Sequence, residues 1–69
     1  MEKYFLHQIK IGENTTKGIV IHDTYDAAKQ GYHAFLGAYA YGNEAGTTFV
    51  QVMITDMNGN TFMSETWPD

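Results

Sequence analysis

"HDTYDAAKQGYHAFLGAYAYG", residues 22–42, is where the chain changes period. Alternation stops, and apolar side chains return at three- and four-residue intervals, the spacing of an amphipathic helix. Asp23 or Thr24 supplies the N-cap, because a short side-chain oxygen there accepts a free N–H of the first turn. Asp26 then falls in that turn, where the helix dipole favours an anion. The pattern predicts a helix from about Thr24 to Tyr41, stopped by Gly42-Asn43. Gly31 and Gly37 inside it each cost about 1 kcal/mol against alanine, so an irregular helix is expected.

At about 100° per residue, Tyr25, Ala28, Tyr32, Phe35, Leu36 and Tyr39 share one sector of that helix. Asp26, Lys29, Gln30, His33 and Gly37 lie opposite and read as the solvent side. A large aromatic side chain contributes roughly 1.5–3 kcal/mol when buried, and a small core needs each one. Tyr32, Phe35 and Tyr39 are therefore read as structure before function.

Upstream, "YFLHQIKI" at 4–11 alternates as a strand, with Phe5, His7, Ile9 and Ile11 on one side. Tyr4, Leu6, Gln8 and Lys10 occupy the other. "GENTTKG" at 12–18 reads as a polar connecting loop, and "IVIH" at 19–22 as a second, β-branched strand. Downstream, "TTFVQVMITD" and "NTFMSETW" flank Asn58-Gly59, the strongest short-range hairpin signal. A two-residue type I′ turn pairs Thr55 with Phe62, Ile54 with Met63 and Val50 with Trp67. One face then gathers Val50, Val52, Ile54, Met63 and Trp67, the natural partner for the helix. The other gathers Phe49, Gln51, Met53, Thr55, Phe62, Ser64 and Thr66. The expected fold is α+β, ββαββ in order, a four-stranded antiparallel sheet with one helix packed on one face. Neighbouring strands are left open.

The 69 residues make one domain, 1–69, and a chain this short buries only about 60% of its unfolded surface. No cysteine is present, so disulfides and thiolate metal sites are excluded, and the expected compartment is the cytoplasm. Four lysines and eight carboxylates leave a formal charge of −4, with no arginine. The lysines are evenly spread, an arrangement unsuited to phosphate backbones, so no direct nucleic-acid contact is expected. "MEKYFLHQIK" lacks the apolar run of a secretory leader, and no stretch approaches the roughly 20 apolar residues of a membrane span.

Candidate chemistry is thin. One hairpin register sets His7 opposite His22, the beginning of a zinc site that still lacks its third and fourth ligands. "DMNGN" at 56–60 resembles a calcium loop only at its start, since Thr61 and Trp67 stand where Gly and Glu belong. Ser64 is the only serine, in no recognisable motif, and no phosphate-cradling glycine pattern occurs. Neither an enzyme nor a cofactor is expected.

Two surfaces remain. Ala27, Gly31, Ala34 and Ala38 form a small-residue stripe along one helix flank. It fits a second copy of the chain, a sheet edge or the 43–46 loop, or simply the high helix propensity of alanine. One helix covers one face of four strands, which sets Phe49, Met53 and Phe62 on the uncovered face as an apolar patch. Gly31, Ala34, Ala38, Phe49, Met53 and Phe62 are thus the candidate interaction residues. They point to a non-enzymatic protein-interaction module, a homodimer that inhibits or regulates a larger partner. The alternative is a small-molecule binder using the open sheet face or a dimer cleft lined by Tyr39 and Tyr41.

Overall fold

A computed structural model describes residues 2–41 and 46–68. The strands are β1, Tyr4–Ile11; β2, Thr16–His22; β3, Phe49–Asp56; and β4, Thr61–Trp67. Between β2 and β3 runs α1, Tyr25–Phe35, continued by a widened π-type turn over Leu36–Ala40. The sheet is antiparallel throughout, in the order β2-β1-β3-β4, and α1 packs on one face. The ββαββ expectation is met, and the open question of neighbours is settled with β1 and β3 at the centre.

Thr24 is the N-cap: its backbone is extended, and its Oγ1 accepts the Ala27 N–H at 3.1 Å. The irregularity falls at Gly37, where Tyr41 N–H reaches back five residues to the Leu36 carbonyl. The proposed stop at Gly42-Asn43 lies outside the described residues. The inward helix sector buries Ala28, Tyr32, Phe35 and Leu36, joined by Ala40 from the widened turn. Across from them the sheet buries Leu6, Val50, Val52 and Ile54. Met63 and Trp67 pack against this core, as the pairing of β3 with β4 requires.

Three sequence expectations are corrected. β2 starts at Thr16, because Thr16, Lys17 and Gly18 pair with Lys10, Ile9 and Gln8 through backbone groups. Its register sets Tyr4 opposite His22 and His7 opposite Ile19. His7 and His22 therefore face opposite sides of the sheet and share no site. The third correction concerns the β3–β4 hairpin. Asn58 does not have positive φ, and only Gly59 does, at 85°. The loop is the three residues Met57-Asn58-Gly59, with Asp56 N–H donating to the Asn60 carbonyl at 3.0 Å.

That loop shifts the pairing by one, so Thr55 faces Thr61. A β-bulge at Phe62 then shifts it back, and Met63 faces Ile54 as expected. The bulged residue turns toward the helix side. Phe62 lies ring to ring with Tyr4 at 5.8 Å and Tyr25 at 5.4 Å, which removes it from the uncovered face.

Candidate functional site

Residues directly opposite one another in an antiparallel pair share a face. The registers therefore define the side of the sheet that α1 leaves uncovered. β1 contributes Phe5, His7, Ile9 and Ile11; β2 contributes Lys17, Ile19 and Ile21. β3 adds Phe49, Gln51, Met53 and Thr55, and β4 adds Thr61, Ser64 and Thr66. The apolar positions lie on the β2 and β1 half, and the hydroxyls lie toward β4. Lys17 is the single formal charge among these strand positions, and none of them is a carboxylate.

This side is far from a polar solvent face. Ile19 and Ile21 remain 60% and 62% exposed, and Val20, on the helix side of β2, remains 41% exposed. The helix sits over β1 and β3, so β2 is uncovered on both faces along nearly its whole length. Ile19, Ile9 and the ring of His7 help to wall a trough of about 460 Å³, with Lys17, Gln8 and Gly18 completing it. His7 is fixed there by a 2.9 Å hydrogen bond between Nε2 and Thr55 Oγ1.

Phe49 and Met53 lie on this uncovered face, half-buried, as the strand pattern indicates. Phe62 does not, for the reason given by the bulge. Ala34 and Ala38 are exposed on the helix. Gly31 is different: a Cβ there would stand 2.8 Å from Leu6 Cδ2 and 3.5 Å from His22 Nε2. Its missing side chain lets α1 sit down on β1, so the stripe is used at Gly31 by the domain's own sheet. The six candidate residues thus divide among four places. Sequence reasoning missed Phe5, Ile9, Ile11, Ile19 and Ile21, although the alternation of 4–11 had already set three of them on one side.

The helix side carries polar contacts of its own. Glu65 accepts the Tyr41 hydroxyl at 2.9 Å and the Tyr32 hydroxyl at 3.4 Å. Burial, with the Glu65 charge adding, pushes the Tyr32 hydroxyl up to about 12. Hydrogen bonding to Glu65 also raises Tyr41. Lys10 is buried with its Nζ 4.5 Å from the centre of the Tyr39 ring. Tyr39 and Tyr41 are therefore engaged within the domain.

His22 Nε2 is buried without a hydrogen-bond partner among the described residues. Among those residues, no three histidine or carboxylate side chains converge as a metal site would need. No described helix is long and apolar enough to cross a membrane. No family model, curated protein or solved structure matches this chain.

Proposed function

We propose that the chain is a non-enzymatic protein-interaction module that self-associates through the apolar surface its helix leaves uncovered, centred on β2. One observation carries this reading: the uncovered face presents Ile9, Ile11, Ile19, Ile21, Phe49 and Met53 where a solvated sheet would alternate to polar residues. A 69-residue core is also small, and partner burial adds apolar area that the single chain lacks. A regulator of a larger protein would use the same face, with the partner's apolar surface replacing the second copy.

Native mass spectrometry with light scattering tests the reading. The wild-type chain is expected to be dimeric at micromolar concentration. Ile19→Glu, on the exposed strand β2 and away from the core, is expected to be monomeric with its circular dichroism retained. A wild-type chain that stays monomeric at hundreds of micromolar rules self-association out.

The trough beside His7 supports a second reading, a small apolar ligand, because about 460 Å³ lies within the range of small-molecule sites. A saturating ligand at 100 times its Kd would add about 2.7 kcal/mol of stability. A thermal-shift screen of metabolites decides it, provided the hit loses its shift in Ile19→Glu.

A further inference from the structure

The two edges of this sheet are built differently. β4 is interrupted by the bulge at Phe62, carries Glu65, and is followed by Pro68, which has no N–H to offer. Each of these features discourages a further strand. β2 has neither bulge nor proline, and its one charge, Lys17, lies near its first residue. It pairs regularly with β1 over seven residues, contains no carboxylate, and carries Ile19, Val20 and Ile21 exposed in sequence. Among the described residues β1 is its only neighbour, so alternate N–H and C=O groups of β2 face outward. An open, unbulged, β-branched edge of this kind is a template for another strand.

We infer that β2 pairs antiparallel with β2 of a second copy, joining two sheets into one of eight strands. The inference rests on the self-association reading and specifies its geometry. A two-fold axis relating antiparallel edge strands must run normal to the sheet. Residues i and j that face each other then have an even sum and the same face, so both helices lie on one side. Both uncovered faces lie on the other and form one apolar surface of twice the width.

Charge and shape select the register centred on Val20. There Val20 meets Val20 of the second copy, and Ile19 meets Ile21 twice over. Lys17, the one cation of β2, stands opposite Asp23, an exposed carboxylate just past the strand end. Asp23 already binds Lys3 of its own chain, so it would bridge two ammonium groups. Gly18, with nothing within 4 Å of where its Cβ would be, stands opposite the bulky ring of His22. A register centred on Ile19 sets Lys17 against Ile21 instead and leaves Asp23 without a counterpart.

Because the chain has no cysteine, a single introduced thiol reports on one position only. Antiparallel partners lie about 4.5–5.5 Å apart at Cα, within disulfide range. Val20→Cys is expected to oxidise to a covalent dimer, whereas Ile9→Cys and Met53→Cys are not. Amide exchange is expected to slow with protein concentration at alternate residues of β2. Lys17→Glu is expected to weaken the dimer roughly tenfold, and adding Asp23→Lys to restore it.

A dimer that cross-links at Ile9→Cys but not at Val20→Cys overturns the edge pairing and leaves self-association standing. A charge swap that fails to restore affinity overturns the Val20-centred register. A monomer in every assay overturns both the pairing and the reading beneath it.

Discussion

Phe62 and Tyr25 stand with ring centroids 5.4 Å apart, tilted by 53°, joining the fourth strand to the first turn of the helix. Tyr4 closes the group at 5.9 Å from Tyr25 and 5.8 Å from Phe62. The cluster seals the end of the helix–sheet interface beyond Ile54. Phe62→Ala is therefore expected to lower stability by about 1–2 kcal/mol, since the ring is 48% exposed and only part of its burial is lost. Oligomeric state should be unchanged. Chemical denaturation beside light scattering separates the two effects, and a loss of association at constant stability would return Phe62 to an interface.

Gly31 makes a similar point on the helix. Any side chain there meets Leu6, which is fully buried, and the ring of His22. Gly31→Leu is expected to cost about 1–3 kcal/mol through overpacking. Gly31→Ala offsets part of a smaller clash by the roughly 1 kcal/mol gain in helix propensity. If Gly31→Leu melts like the wild type and loses only its dimer, the small-residue stripe is a contact between copies after all.

Asp56 ties the β3–β4 loop. Its Oδ1 accepts the N–H groups of Asn58 at 2.8 Å and Asn60 at 2.9 Å, and its Oδ2 accepts Asn60 Nδ2 at 3.0 Å. The Asn60 side chain, aided by these backbone donors, holds the carboxyl below its ordinary value. A carboxyl lowered on folding contributes stability above the unfolded value near 3.8, and this is lost as pH falls through the folded value. Asp56→Ala should flatten the acid limb of a stability–pH curve and raise exchange at the Asn58 and Asn60 amides. An unchanged acid limb would assign the loss to other carboxylates.

Tyr32 gives the alkaline counterpart. Its hydroxyl is raised from 10.0 to about 12, so folding favours the protonated form. The stabilisation is complete below pH 10 and disappears as pH rises toward 12. Tyr32→Phe should remove that dependence while keeping the ring in the core. Tyrosinate absorbance should then lose a component near pH 12. If the alkaline limb persists in Tyr32→Phe, Tyr41, the other hydroxyl on Glu65, is the next candidate.

The parts legible in the sequence are those decided by short-range rules. Helical spacing after His22 gave the inward sector, and Thr24 capped it as its chemistry implies. Alternation in 4–11 marked β1 at both ends, while "TTFVQVMITD", 47–56, marked β3 at its last residue and began two residues before its first. What escaped depends on backbone pairing or on single-residue shifts. Thr16-Lys17-Gly18 looks like loop because edge pairing needs N–H and C=O groups and no particular side chain. The His7–His22 register turned on how many loop residues separate two strands, which composition does not encode. The same limit hid the bulge and sent Phe62 to the wrong face. A signal for strand order was present: β1 is apolar on both sides, as Phe5 and Ile9 oppose Tyr4 and Leu6, which suits a central strand.

The hairpin holds a pair of compensating shifts, one in the loop and one at Phe62, and its arithmetic resembles a reading frame. With the three-residue loop but no bulge, Ile54 would face residue 62, Val52 would face Ser64, and Val50 would face Thr66. Glu65 and Trp67 would then turn outward, and the two tyrosine hydroxyls would lose their acceptor. Point substitutions in β4 change one contact at a time. Deletion of one residue between Asp56 and Met63 exchanges the strand's two faces only if the three-residue loop and the bulge both persist; taken from the bulge itself, it leaves Met63 opposite Ile54. Loop length and bulge are one coupled property of this segment, and the fold fixes their sum against the facing of Met63, Glu65 and Trp67.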